Sequence, residues 1–317
     1  MRRTAFLSVL MMVACERAQA TERTPRTRLE TNESCIGCHE AEALQWAGSL
    51  HNRSWTDASF AHAYSNEPSP FCWGCHAPES AANSPPEAAR VGVTCVSCHL
   101  APSTAGDVPS LDHPRLVPRE LLTTQTCGRC HEFGFESSPS LPMQATLSEH
   151  QSSPFSEESC SSCHMADNSH AFAITRATAS LKEALDATAE RDGDTVRLIL
   201  RSRGVGHAFP TGDTFRALHV EVGREGRPAS AETRLQRAFA LERAHSGMGF
   251  ALEQVADTRL AADGSETTLE LSVPAAGSAT LWWRVVYERR DNPFKASPQT
   301  FGRIELAGGI LEPGADR

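Results

Sequence analysis

Five times between Cys35 and His164 the chain sets two cysteines three positions apart and follows the second directly with a histidine. The units are Cys35-Ile-Gly-Cys38-His39, Cys72-Trp-Gly-Cys75-His76, Cys95-Val-Ser-Cys98-His99, Cys127-Gly-Arg-Cys130-His131 and Cys160-Ser-Ser-Cys163-His164. Two thiols at this spacing can add across the vinyl groups of a porphyrin, and the adjoining imidazole can then bind the iron, so each unit reads as an attachment site for a c-type haem. At these residue frequencies chance would supply on the order of 10⁻² such units. Paired Cys-x-x-Cys also builds zinc ribbons, and cysteine-rich exported chains use disulfides. Neither explains a histidine after the second cysteine in every unit. The units consume all the cysteines except Cys15, which leaves no pair for a structural disulfide. The expectation is five covalently attached haem c groups, with His39, His76, His99, His131 and His164 as proximal iron ligands.

The elements that position these units differ along the chain. With 317 residues there is room for one or two domains. The segment that carries the units is rich in Ser, Pro, Gly and Glu and lacks long apolar runs, so its core has to be the haems themselves. The formal net charge of −9 argues against nucleic-acid binding and suits transient docking to basic redox partners.

The first 14 residues pair Arg2 and Arg3 with an apolar run to Ala14 that is too short to span a bilayer, which reads as an export signal. Met12-Val13-Ala14-Cys15 resembles a bacterial lipobox, after which a lipidated Cys15 would be the mature N-terminus. Ala18-Gln19-Ala20 offers the alternative cleavage after residue 20 and a soluble product. Residues 15–33 read as a flexible tether, 34–178 as the pentahaem domain and 179–317 as a β domain. The expected location is the periplasm or the outer membrane, with membrane anchoring through Cys15. Oligomeric state leaves no signal.

Beyond His39, Glu40 to His51 reads as one helix carrying Trp46, Ser49 and His51. A continuous helix would hold His39 and His51 about 18 Å apart, too far to serve one iron. His51 is therefore expected on a neighbouring haem. His113, in the loop Leu111-Asp-His-Pro-Arg, is a second candidate distal ligand, placed where a ligand can be offered without distorting a helix. His150, His62 and Met143 are further candidates, although a Met beside a porphyrin commonly packs against it.

Cys35-x-x-Cys38-His39 followed by Trp46-x-x-Ser49-x-His51 resembles the cytochrome c554 family of multihaem cytochromes. That resemblance implies haems packed closely in parallel or perpendicular pairs that relay electrons; some relatives reduce nitrogen or sulfur oxyanions or oxidise hydroxylamine. The family also pairs a Cys-His-Met start with a later Ser-His-x-Phe, matched by Cys163-His164-Met165 and Ser169-His170-Ala-Phe172, which implies a distal role for His170. Where relatives usually carry Trp, this chain has His150.

From about residue 179 the pattern alternates with period two. Val196, Leu198 and Leu200 follow the turn Asp192-Gly193-Asp194, and strand-like runs cover 218–222, 235–241, 267–273, 281–287 and 302–306. The fold class is thus α+β: an N-terminal haem-packed, helical and loop-rich domain, then an antiparallel β-sandwich-like domain. Gly206-His207-Ala-Phe209-Pro210-Thr211-Gly212 is similar to a segment of multihaem cytochromes with a β domain and implies that His207 reaches back to a haem. His219 and His245 read as strand or surface residues, and Trp282 and Trp283 as strand packing.

Enough distal candidates exist to close every iron, which favours an electron-transfer cytochrome working between redox partners such as other cytochromes or quinol-linked donors. One alternative is a reductase with an open haem acting on a small oxyanion or nitrogen compound. Such a site needs Arg, Lys, His or Tyr around it, and no such cluster is evident along the chain. The other is an assembly subunit that interacts through the β domain.

Overall fold

A computed structural model describes residues 26–80, 89–100, 107–108, 123–135, 138–172, 178–243, 250–291 and 299–313. Cys15, His113, His245 and the expected export signal lie outside the described residues.

In chain order the helical elements are α1 (Arg28–Cys38), α2 (Glu40–Ala47), α3 (Ala58–Asn66), α4 (Trp73–His76), α5 (Cys95–His99), α6 (Thr124–His131), α7 (Thr146–Gln151), α8 (Cys160–His164) and α9 (Thr178–Glu183). Local chemistry starts several of them. Thr27 and Glu30 form a reciprocal capping box at α1, Asp57 accepts from the Phe60 N–H at α3, and Ser159 accepts from the Ser162 N–H at α8. Each Cys-x-x-Cys-His unit lies in or at the end of one such helical turn. Positions i, i+3 and i+4 share a helix face, so both thiols and the imidazole of a unit point the same way. The helix after the first unit is shorter than expected. It ends at Ala47 with Gly48 as its cap, and His51 lies in the turn that follows.

The strands are β1 (Arg26–Thr27), β2 (Asp107–Val108), β3 (Glu132–Phe135), β4 (Ser138–Ala145), β5 (Leu185–Asp192), β6 (Thr195–Ser202), β7 (Arg216–Arg224), β8 (Ala229–Leu235), β9 (Arg237–Arg243), β10 (Phe250–Asp257), β11 (Thr267–Ser272), β12 (Leu281–Arg290) and β13 (Thr300–Leu311). They pair antiparallel in the orders β11-β6-β5 and β13-β12-β7-β8, with hairpins β9-β10 and β3-β4 apart. The expected 235–241 strand is in fact two, because the chain breaks at Gln236 between β8 and β9.

Alternation explains how the two larger sheets meet. Val196, Leu198 and Leu200 on β6, Leu218, Val220 and Val222 on β7 and Leu281, Trp283 and Val285 on β12 form one buried cluster. Leu181 of α9 joins it. The β5-β6 turn needs Gly193 at φ 59°, a left-handed geometry that glycine adopts without a Cβ clash. On the opposite face of β7 and β12, Glu221 and Glu288 are buried among Arg234, Arg284 and Arg303, with His219 between them. His219, Glu221 and Glu232 bring ligand atoms within 4.8 Å of one another. The arginines already neutralise Glu221 and Glu288 there, so the cluster reads as an ion-pair network.

Candidate haem-binding site

The five units converge on one another, although they are spread along the chain. Thiols from different units neighbour one another: Cys35 with Cys95, Cys75 with Cys130, and Cys127 with Cys160. The contact from Cys95 holds the Cys35 thiol down at about 7, and that from Cys127 holds Cys160 down at about 6, against the opposing effect of burial. The partners Cys95 and Cys127 are pushed up. The first unit thus adjoins the third, and the fourth adjoins both the second and the fifth.

Between these helices and the β sheets runs a cavity of about 2160 Å³, lined by cysteines of the second to fifth units and by His51, His76, His131, His164 and His207. Its volume is well beyond the usual range for one small ligand, roughly 300–1,000 Å³. Protein surrounds His131, yet its side chain is exposed to this space. Burial pushes both the His131 and the His164 imidazoles down to about 4, so they stand neutral with a nitrogen lone pair to offer.

Three pairs of imidazoles face each other across gaps. The ring centroids of His51 and His131 are 6.4 Å apart, those of His99 and His170 6.1 Å, and those of His164 and His207 6.2 Å. Two imidazoles bound to opposite faces of one metal ion have centroids about 6 Å apart, twice the sum of a metal–nitrogen bond and the ring's own radius. The interplanar angles are 62°, 31° and 20° respectively. With paired thiols on the same helix faces and a large cavity beside them, the residues fit haem c.

Backbone carbonyls fix the direction of some rings. His76 Nδ1 donates to the Ser54 carbonyl at 2.8 Å, and His207 Nδ1 to that of Ala208 at 3.1 Å, leaving Nε2 of each bare. His76 also stacks on Phe60 at 3.6 Å, within an aromatic cluster that includes Trp55, Tyr64 and Trp73. Phe172 sits edge-on to His51 at 4.3 Å.

The remaining candidates are placed differently. His150 is buried on α7, with Phe155, Gly206 and His207 close by. His62 bonds to Asn66 and packs against Phe301. Met143 lines the cavity from β4. No imidazole among the described residues faces His39 or His76 as in the three pairs.

One cluster escaped the sequence reading. Arg289 reaches Asp57 at 3.3 Å and Asp213 at 3.7 Å, and Arg216 bonds Asp213 and the Tyr287 hydroxyl. All five line the cavity or its wall near His76. They come from a loop, a strand start and one strand of the sheet, so nothing in their spacing would have grouped them.

Fold and motif series together are similar to those of multihaem c-type cytochromes. Residues 34–100 match the cytochrome c554 and c-prime family. The chain is similar in structure to a penta-heme cytochrome c552 from Thermochromatium tepidum, with a TM-score of 0.64 and 20% identity over 89% of this chain and 98% of that one. A second solved structure, MtrC from Shewanella baltica OS185, aligns at a TM-score of only 0.19 and 14% identity, over 88% of this chain and 45% of that one. No curated protein matches.

Proposed function

We propose that the chain carries five haems c and passes electrons between redox partners through them. The three facing imidazole pairs carry this reading: His131 with His51, His99 with His170, and His164 with His207 are taken as the axial ligands of three irons. The penta-heme neighbour, aligned over nearly its whole length, supports the count. When bound, each haem supplies one-electron iron chemistry. The chain's own residues set its terms: the carbonyls of Ser54 and Ala208 orient His76 and His207, and the convergence of the units on one cavity would hold neighbouring haems close. Partners dock weakly on the acidic surface. Export through residues 1–14 and anchoring through Cys15 belong to the same reading, supported by the apolar run and the lone cysteine.

A pyridine haemochrome assay should return five haems per chain; two or three would end the pentahaem reading. In the electron paramagnetic resonance spectrum of the oxidised protein, the 62° pair should give a more anisotropic low-spin signal than the pairs at 31° and 20°. Replacing Cys15 by Ser should release the protein from membranes, and unchanged partitioning would refute the anchor.

A specific observation favours a second reading at one iron. Among the described residues nothing faces His76 as the paired imidazoles do, while Arg289, Arg216 and Tyr287 stand nearby with Asp57 and Asp213. That arrangement suits a small anion and its protons. A high-spin ferric signal perturbed by nitrite or cyanide would support it, and a wholly low-spin, inert spectrum would remove it.

A further inference from the structure

Glu149 stands on α7, one residue before His150, and its carboxylate reaches out of the haem-binding segment into the loop that carries His207. Oε2 accepts from the Thr211 hydroxyl at 2.5 Å and from the Ala208 N–H at 3.2 Å. Oε1 pairs with Arg259 Nη2 at 2.7 Å. Arg259 in turn donates from Nη1 to the Pro210 carbonyl at 3.2 Å, and the neighbouring Leu260 exchanges both backbone hydrogen bonds with Phe209. Both charged side chains are largely withdrawn from water, at 13% and 6% exposure. Every one of these contacts lands on residues 208–211, directly after His207, or on the arginine that holds them.

A buried carboxylate is tolerated when charge and hydrogen bonds compensate it, and removing its partners is strongly unfavourable. Glu149 is compensated by the His207 loop itself. Moving that loop would strip the carboxylate of two donors and break the His207 Nδ1 bond to Ala208, whose N–H is one of those donors. The loop and the carboxylate therefore hold each other in one arrangement, the one in which His207 faces His164 at 6.2 Å.

We infer that Glu149, braced by Arg259, is the positioning residue that keeps His207 on the iron bound by His164, so that docking of the β sheets sets the coordination of that one haem. The inference rests on the reading of His207 as an axial ligand. In the Glu149→Gln variant the ion pair is lost and an amide N–H₂ replaces one acceptor, leaving a donor of the loop or of Arg259 unmet. His207 then spends more time off the iron.

The test is cyanide binding to the oxidised holoprotein, followed at the haem that His207→Ala opens and read beside thermal unfolding. If Glu149→Gln raises the fraction of that iron free of His207 tenfold, the apparent cyanide affinity there rises about tenfold as well. Thr211→Val removes one arm of the clamp and should give a smaller rise; it also serves if Glu149→Gln yields no mature protein. Leu198→Ala, in the β core and outside the hydrogen bonds of the clamp, should lower the unfolding temperature and leave cyanide affinity unchanged. Wild-type affinity in Glu149→Gln, or in Thr211→Val should the first variant not mature, overturns the inference, as does an equal rise in Leu198→Ala. A His207→Ala protein that opens no haem overturns the axial-ligand reading instead.

Discussion

Among the described residues between Arg28 and Phe172 the buried apolar side chains are Trp46, Ala77, Ala89, Val96 and Leu100, and of these only Val96 and Leu100 form a cluster of their own, with Cys35 against it. From Leu181 to Leu306, by contrast, leucine, valine, tryptophan and tyrosine from both sheets close into one continuous core. The two regions are of similar length and reach order by different means. The β sheets bury apolar area, worth roughly 25 cal/mol per Å². The helical segment surrounds a cavity of about 2160 Å³ with thiols and imidazoles, and its cohesion depends on what those groups bind. A short helix bearing Cys-x-x-Cys-His can afford a poor core if a porphyrin fills the space beside it.

The largest effect should come from emptying a shared attachment site. The double variant Cys127→Ala, Cys130→Ala touches the second and fifth units as well as the fourth, because of the Cys75–Cys130 and Cys127–Cys160 contacts. Hydrogen exchange should show lost protection across α4, α6 and α8 while β6, β7 and β12 remain protected. Equal protection in both regions would erase the contrast. Next in size, Leu198→Ala should cost about 2–5 kcal/mol in denaturant unfolding of the sheets, with the haem absorbance unmoved, because that side chain is wholly buried in the β core.

A seam joins the regions at Arg289, which bonds Asp57 at the start of α3. Arg289→Ala should destabilise the protein by about 1–3 kcal/mol and raise proteolytic nicking around α3 more than in the sheets. Smallest is an acid effect. Burial works to raise Glu288, but bonds with His219 and Arg234 outweigh it and hold the carboxyl down from 4.5 to about 2. A carboxyl depressed in the folded state stabilises fully above its unfolded pKa, and that contribution disappears as pH falls from about 4.5 through about 2. Acid unfolding monitored at Trp283 should show this limb, and Glu288→Gln should flatten it.

The sequence made the chemistry legible where chemistry is local. Five Cys-x-x-Cys-His units declare themselves by adjacency, and the alternation of Val196, Leu198 and Leu200 marks a strand because side chains on a strand repeat every second residue. Partnerships across long separations were harder to see. His51 was expected on a neighbouring haem from a helix that proves to stop at Ala47, so its reach could be argued but the identity of its neighbour, His131, could not. Asp57, Asp213, Arg216, Tyr287 and Arg289 meet only because β7 and β12 lie side by side over the cavity. Glu149 looked like an ordinary helix carboxylate; its role depends on which loop the fold lays against it.

The thiol contacts between units also bear on how such a chain matures. Cys35 beside Cys95, Cys75 beside Cys130 and Cys127 beside Cys160 are cross-unit neighbours, and the neighbouring thiol holds Cys35 and Cys160 below the usual thiol range. Thiolate beside thiol is the reactive form for oxidation. With its thiols free, the folded chain therefore brings cysteines of different units side by side, where an oxidant could join them. Thioether formation at each unit would remove both sulfurs of such a pair from that chemistry.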